Sequence, residues 1–479
     1  MASSMFATFE SNAQALSKQY AVPIDQVRFL TLLLLGYPLG ALYRYGLHPS
    51  RTSLTARHVF STSLGILFGL LCFGWSQMFL LFFMTGVCYA MLLWLPTTVV
   101  HLYTVVFAMV CVSMGHVYRM LTDYEGWNID FSLPLMVMVQ RVSLTAFALN
   151  DGIARADSDN EQKLTEVPSL LEYWSYNYNF HTFLAGPACT MKEYLNFVDG
   201  SNFTTKTSNR NGSDVKACYP VLGRLSEAVV CVVLHQVISA QYPIDSILKP
   251  DYSLPTRILL AHIIMFHVRS RYYFVWLLVE SINNFIGLGF GGYDKEGKPV
   301  WDVCKNVKPW DVEFGTNFRS VITGWNVTTS LWLRRICYNR VSYGWISPIL
   351  ASWVLSAVWH GFYPGYYFCF LSGAIMQAAS VNMRRLLWNH FQTSETWRRI
   401  YDVATWATSH TLLNYGAMCF VLLSVEKCWK LWKFYYFFPL IIVSCAAWLP
   451  VSHSKKEPQN DGHRNGTQMD DHRNGIKVQ

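Results

Sequence analysis

Apolar runs long enough to enter a bilayer alternate with short polar connectors along most of this chain. A mixed polar segment, residues 1–26, closes with a turn at Pro23, Ile24 and Asp25. The first apolar run, residues 27–43, then carries Arg28 and Arg44 near its ends, where long cationic side chains can snorkel to the interface. A second run covers residues 59–75, and a third and fourth lie within 78–115, with the break expected at Pro96. Residues 118–131 form a charged connector. The next run, 133–149, is interrupted by Gln140 and Arg141 and is too polar to read as a simple span.

Beyond it, residues 151–166 are acidic and hydrophilic, a loop expected to stay in water. Residues 168–187 bring Tyr173, Tyr176 and Phe180 to helical spacing, which suits either an interfacial helix in the headgroup layer or the aromatic wall of a lipid pocket. A second polar loop, 199–217, holds glycosylation sequons at Asn202 and Asn211, which matter only if the loop faces a lumen. Spans follow at 229–240, extended a few residues N-terminally, and at 257–267. Arg269 and Arg271 then stand at the foot of another apolar helix, which runs through Glu280, Asn283 and Asn284 into a glycine-dense stretch ending at Asp294. Those glycines follow no strand and precede no Gly-Lys-Ser/Thr, so they read as a flexible turn and not a phosphate loop.

Composition agrees with a polytopic membrane protein. Of the 479 residues 52% are hydrophobic and only 14% charged, against about 25% charged in soluble domains. The 18 Trp and 27 Tyr are the residues that collect at membrane interfaces. A net charge of +8 comes with no basic stripe, which points to anionic headgroups and away from nucleic acid. The 12 Cys are scattered singly, without a C-x-x-C pair or a His/Cys cluster, so no metal site is implied. The N-terminus lacks the layout of a removable signal peptide, and the first span is expected to act as the targeting signal.

Candidate chemistry concentrates between residues 325 and 367. His360 ends an apolar run and is the one side chain between 346 and 367 that could titrate near neutral pH. An ionisable group at that depth marks a functional site unless it merely hydrogen-bonds between helices. Upstream, Trp325, Asn326, Trp332, Arg334, Arg335, Tyr338 and Arg340 fall within about four helical turns. The arginines read either as interfacial anchors or as a phosphate clamp, for which the planar guanidinium is suited. Glu280, Asn283 and Asn284 are polar at membrane depth and need partners from other helices or a water-filled cavity.

The segments W-N-V-T-T-S-L-W-L-R-R and S-A-V-W-H-G-F-Y-P-G-Y-Y-F resemble the signature of the membrane-bound O-acyltransferases. P-S-L-L-E-Y-W-S-Y, R-Y-Y-F-V-W and I-N-N-F-I-G-L-G-F-G-G-Y-D resemble that family's lysophospholipid acyltransferase branch, its type 1 and type 2 members most of all. The likeness runs from Pro23 to Pro450. It implies an all-α polytopic bundle of about ten or eleven transmembrane helices around an internal catalytic cavity, with Asn326 and His360 as the catalytic pair. Substrate-binding residues would be Trp325, Trp332, Arg334, Arg335, Tyr338, Trp359, Tyr173, Asn283 and Asn284. It further implies transfer from acyl-CoA, a co-substrate and not a resident cofactor, to lysophosphatidylethanolamine, lysophosphatidylserine or lysophosphatidylcholine in the endoplasmic reticulum membrane. Transfer would be direct, with no acyl-enzyme, since no nucleophile is arranged beside His360; Ser356, four residues earlier, is the nearest hydroxyl. Two other readings stay open: acylation of a protein or peptide, and a transporter lined by Glu280, Asn283, Asn284, Asn326 and His360. The chain divides into an N-terminal segment (1–26), the multi-pass domain (27–451) and a polar tail (452–479) expected to be disordered. Oligomeric state is not legible.

Overall fold

The computed structural model describes residues 2–155, 160–203, 217–341 and 347–449, which are helical apart from one small hairpin and the connectors. Helix α1 (Ala2–Tyr20) lies against α2 (Ile24–Ala41), joined by an ion pair of Arg28 with Glu10. A π-helical turn at Leu42–Gly46 follows, and there Arg44 donates to the Phe285 carbonyl. Neither arginine simply snorkels. Each has a protein partner.

The run expected to hold the second and third spans is one 41-residue element, α3 (Leu54–Trp94), broken at Gly74, whose φ of 75° and ψ of 175° are not helical. Each half has the roughly 20 residues that one crossing needs. Pro96 then separates α3 from α4 (Val100–Thr122), where the sequence places a break.

Helix α5 (Ser132–Leu149) explains its own polar residues. It is buried continuously from Met138 onward, so Gln140 and Arg141 face protein. Gln140 donates to Thr329 Oγ1 at 2.8 Å. Arg141 donates to the carbonyls of Tyr176, Asn177 and Thr182, at 3.1, 2.9 and 3.0 Å, and to Thr182 Oγ1. Those acceptors sit where α6 (Leu170–Tyr178) gives way to an irregular buried segment leading into α7 (Met191–Asp199). Carbonyls in the last turn of a helix and in irregular buried backbone need donors from elsewhere, and one guanidinium supplies four hydrogen bonds.

The aromatic stripe belongs to this core and not to a headgroup layer: Tyr173, Tyr176, Tyr178, Phe180 and Phe183 are all buried. Asp151, read as part of a water-facing loop, is also buried. It accepts two hydrogen bonds from Arg340 Nη2, at 2.6 and 2.7 Å.

Helix α8 (Cys218–Gln241) packs along α9 (Leu254–Ile286). The latter is one 33-residue helix where two segments were expected, so Arg269 and Arg271 stand in its middle and not at a helix foot. Arg269 forks onto Glu313, 2.7 Å to each oxygen, and Arg271 lies 4.6 Å from the Trp127 ring centre. Gly287 (φ 110°) ends α9, and the glycine-dense stretch folds into strand β1 (Phe290–Tyr293) paired antiparallel with β2 (Pro299–Trp301). Asn202, the first sequon asparagine, donates to the Gly287 carbonyl at 3.2 Å. Asn211, residues 342–346 and the tail from 452 lie outside the described residues.

The chain then forms α10 (Pro309–Phe314), α11 (Phe318–Gly324) and α12 (Val327–Leu333), which runs on as a π-helical turn at Arg334–Tyr338. It finishes with α13 (Pro348–His360), α14 (Pro364–Leu387), α15 (Glu395–Leu422), α16 (Val425–Phe434) and α17 (Phe438–Trp448).

Among the described residues five helices are long and apolar enough to cross a membrane, or six if the bent α16–α17 pair forms one span. The count falls below ten or eleven for visible reasons. Helix α3 is counted once although its length suits two crossings, and α13 is short. Helices α9, α14 and α15 are long enough, at 33, 24 and 28 residues, but carry buried or terminal charges and polar groups. Two apolar cores result, one around α3 to α6 and one around α14 to α17 with the first half of α9.

Candidate active site

Asn326 precedes α12 in a left-handed backbone conformation, φ 45° and ψ 58°. Asparagine is one of the few L residues that tolerate it. Its half-buried amide has no hydrogen-bond partner among the described residues. Trp325 beside it is held by three rings of the R-Y-Y-F-V-W segment, with centroids 5.7 Å away at Tyr272, 5.9 Å at Tyr273 and 5.0 Å at Trp276. Two motifs some fifty residues apart in the sequence thus form one aromatic cluster. One turn into α12 and beyond, Trp332 is fully buried and donates from Nε1 to Ser143 Oγ at 2.8 Å, which locks α12 onto α5.

His360 is the last residue of α13. Ser347 caps that helix and Pro348 starts it, while Gly361, at φ 120°, turns the chain out of it toward Pro364. Thirteen residues rise about 20 Å, short of a hydrocarbon core of about 30 Å, so α13 ends inside the bilayer's depth if it begins near an interface. The His360 Nδ1 lies 2.8 Å from the Ser356 carbonyl oxygen. A carbonyl can only accept, so Nδ1 carries the proton and Nε2 is left with its lone pair. Aromatic rings surround the imidazole, with centroids at 4.7 Å (Trp359), 6.0 Å (Tyr366), 4.8 Å (Phe370) and 5.2 Å (Phe420). Its link to Ser356 runs through the backbone, and no hydroxyl or thiol among the described residues hydrogen-bonds to the imidazole.

The two arms meet through tryptophans. Trp332 and Trp359 stand 5.6 Å apart between ring centres, and Trp359 donates from Nε1 to the Met136 carbonyl at 3.0 Å. Both tryptophans belong to the first core, whereas Phe420 packs against the second, so His360 sits on the seam between the cores. The remaining expected residues are distributed around this frame. Arg334 and Arg335 begin the π-helical turn, half-buried, and Tyr338 at its end is exposed. Arg340, two residues on, is committed to Asp151.

Asn283 is buried and fully used: its Oδ1 lies 2.8 Å from His181 Nδ1, and its amide donates to the carbonyls of Val279 and His181. Asn284 is equally buried, and neither of its side-chain polar atoms has a partner among the described residues. Glu280 pairs with Arg224 of α8 at 3.0 Å. Tyr173 has no exposed surface, donates to the Thr85 carbonyl at 3.2 Å and packs on Tyr89.

Two residues that sequence reasoning passed over touch the site. His116 of α4 is buried beneath the turn after His360, its Nε2 2.9 Å from the Trp359 carbonyl. A Cβ on Gly361 would come within 3.1 Å of that imidazole. The rule that singles out His360, an ionisable group within an apolar run, would have found His116 as well. Asn306, between β2 and α10, accepts hydrogen bonds from the start of α12. No pattern in its own neighbourhood advertises it.

Comparison with known proteins agrees with this architecture. Residues 154–425 match the family model of MBOAT, the membrane-bound O-acyltransferase family. The chain is 34% identical over 471 residues to membrane-bound glycerophospholipid O-acyltransferase 2 of Homo sapiens, covering 94% of this chain and 89% of that one. It is 32% identical over 466 residues to membrane-bound glycerophospholipid O-acyltransferase 1 of Homo sapiens, covering 93% of each. It is also 34% identical over 441 residues to lysophospholipid acyltransferase 6 of Drosophila melanogaster, covering 88% of this chain and 60% of that one.

Proposed function

The chain belongs to the membrane-bound O-acyltransferase family, and on that premise we propose that it is a lysophospholipid acyltransferase, moving a fatty acyl group from acyl-CoA to the free hydroxyl of a lysophospholipid. The observation that carries the mechanism is the state of His360: its Nδ1 proton is engaged by the Ser356 carbonyl, so Nε2 is the basic atom.

An alcohol is a poor nucleophile while it keeps its proton. In the proposed reaction His360 Nε2 removes that proton as the lysophospholipid oxygen attacks the thioester carbonyl. The oxygen–carbon bond forms and a tetrahedral oxyanion develops. Its collapse breaks the carbon–sulfur bond, and the proton held on Nε2 goes to the departing CoA sulfur, which returns the imidazole to its starting form. Asn326, whose amide is not spent on the protein, supplies an N–H for the oxyanion or orients the imidazole. With no hydroxyl or thiol among the described residues bonded to His360, transfer is proposed to pass directly between the two substrates.

The acyl-CoA head is polyanionic and cannot cross a bilayer, so it enters from the cytosol, and Arg334 and Arg335 are the cations proposed to meet its phosphates. The lysophospholipid arrives from within the membrane. Trp325 and Trp359 are proposed to flank the substrates with Trp332 packed behind them, and the buried Asn284 amide, which has no partner among the described residues, is proposed to meet a headgroup. We place the protein in the endoplasmic reticulum membrane.

The test is an assay of the purified full-length protein against a panel of lysophosphatidylethanolamine, lysophosphatidylserine and lysophosphatidylcholine with several acyl-CoAs. Release of CoA in step with a diacyl phospholipid is expected for at least one pair. No consumption of acyl-CoA with any acceptor would reject the reading.

A further inference from the structure

A helix start leaves its first N–H groups without partners inside the helix, and the residue just before it ordinarily satisfies one with its own side chain. Asn326 occupies that place before α12 and does not do so. The donors are satisfied from elsewhere. Val327 N–H donates to the Asn306 carbonyl at 2.8 Å, and Thr328 N–H and Oγ1–H both donate to Asn306 Oδ1, at 3.1 and 2.7 Å. Asn306 is buried, as is Val307 after it, and Lys308 N–H donates to the Gly324 carbonyl at 2.9 Å. The segment that carries Asn306 is therefore fastened on both sides of Asn326.

We infer that Asn306 is a positioning residue: by capping α12 in place of Asn326, it holds Asn326 in its left-handed conformation and leaves that amide free to act on the substrates. The reasoning is a competition between two caps. An asparagine before a helix is among the best residues for capping it, and it does so from an extended backbone. Left-handed backbone is less costly for asparagine than for other residues with a Cβ but is still disfavoured against the extended form, so the surroundings must hold it. Without Asn306 both tendencies act together. Asn326 relaxes to the extended form, turns its side chain onto the bare N–H groups of α12, and is withdrawn from the reaction. The inference rests on the role proposed for Asn326 above.

The experiment compares wild type, Asn306→Ala, Asn306→Asp, Asn326→Ala and the Asn306→Ala/Asn326→Ala double variant of the full-length protein, with kcat and KM for acyl-CoA measured separately. Misplacing a reacting group by about 1 Å costs up to about 10²-fold, so Asn306→Ala is expected to lower kcat by about 10- to 100-fold with KM little changed. Asn306→Asp keeps the accepting oxygen and is expected to recover most of that loss. In the Asn326→Ala background, removing Asn306 should cost almost nothing more, because both changes silence one group. Wild-type kcat in Asn306→Ala, or the same fold-loss in both backgrounds, overturns the inference; the second result would mean a general structural role.

If Asn306→Ala does not fold, Thr328→Val removes one of the donors to the same oxygen. A smaller fall in kcat at constant KM then supports the inference, and an unchanged kcat overturns it. Amide hydrogen exchange over residues 326–333 gives a readout independent of turnover. Protection of the amides that start α12 should be lost in the Asn306→Ala/Asn326→Ala double variant, where neither cap remains, and largely kept in Asn306→Ala, where Asn326 takes over the cap; protection in Asn306→Ala as low as in the double variant, or wild-type protection in the double variant, overturns the inference. Should wild type transfer no acyl group, the proposed function fails while the positioning claim is still decided by exchange.

Discussion

Replacing Gly361 by alanine perturbs the turn that aims His360 without touching either substrate. Two costs can be worked from the structure. Backbone at φ 120° and ψ −162° is open to glycine and costs an L residue about 1–3 kcal/mol. The new Cβ would also meet His116, at 3.1 Å from Cγ, 3.3 Å from Nδ1 and 3.4 Å from Cβ. That imidazole is held to the Trp359 carbonyl, so it cannot withdraw without breaking a hydrogen bond worth about 1 kcal/mol. The total, about 2–4 kcal/mol, is too large for the turn to absorb unchanged. Its cheapest relief is rotation of the chain after α13, which carries His360 with it. We expect kcat to fall by about 10²-fold while KM for acyl-CoA stays near wild type, read by CoA release from purified protein of verified fold. Adding His116→Ala removes the contact but not the backbone strain, so activity should recover in part only. Wild-type kcat in Gly361→Ala would refute the idea that this turn aims the histidine, and full recovery in the double variant would assign the whole effect to the contact.

Three further outcomes follow from the same geometry. Arg141→Met removes four hydrogen bonds and takes from the buried Asn177 carbonyl its donor, while the Tyr176 and Thr182 carbonyls keep Asn179 Nδ2 and Gly186 N–H, a loss of about 1–3 kcal/mol; it should lower the melting temperature in detergent, and a wild-type melt would contradict the account of α5. Arg334→Lys should raise KM for acyl-CoA nearly as much as Arg334→Gln if a guanidinium fork grips phosphate, whereas near-normal kinetics in the lysine variant would make Arg334 an interfacial anchor. Trp332→Phe keeps a ring but loses the donor to Ser143; it should destabilise by about 1–3 kcal/mol, and an unchanged melting temperature would show that this bond does not secure α12.

Much of the membrane architecture was legible because it rests on local pattern. The apolar runs, the break at Pro96 and the exposure of His360 as an ionisable end to an apolar helix all follow from neighbouring residues. The motifs that carry Trp325, Asn326, Trp332 and His360 stand out in the sequence through resemblance alone, and the Trp332–Trp359 contact shows how two separated motifs come to adjoin. The failures have a common physical origin in long-range pairing. Arg141 looked like an obstacle to a span because the carbonyls it satisfies lie 35 to 41 residues away. Asp151 looked like a loop charge because Arg340 is 189 residues distant. The aromatic stripe around Tyr173 fits an interface and a core equally well by periodicity, and only its packing against α3 decides the matter. Arg269 marks a helix end in most apolar sequences; here Glu313 and Asn414 let it sit in mid-helix. Asn306 carried no signal at all, since its role exists only once α12 is folded against it.

The central claim is that His360 Nε2 takes the hydroxyl proton in transfer from acyl-CoA to a lysophospholipid. Its most direct test is the rate of diacyl phospholipid formation, followed by mass spectrometry, for wild-type protein and His360→Ala at saturating concentrations of both substrates. Loss of a general base costs about 10²–10⁴-fold, so the variant should fall by at least that range's lower bound while remaining folded and membrane-inserted. Turnover of a correctly folded His360→Ala protein at the wild-type rate would contradict the claim.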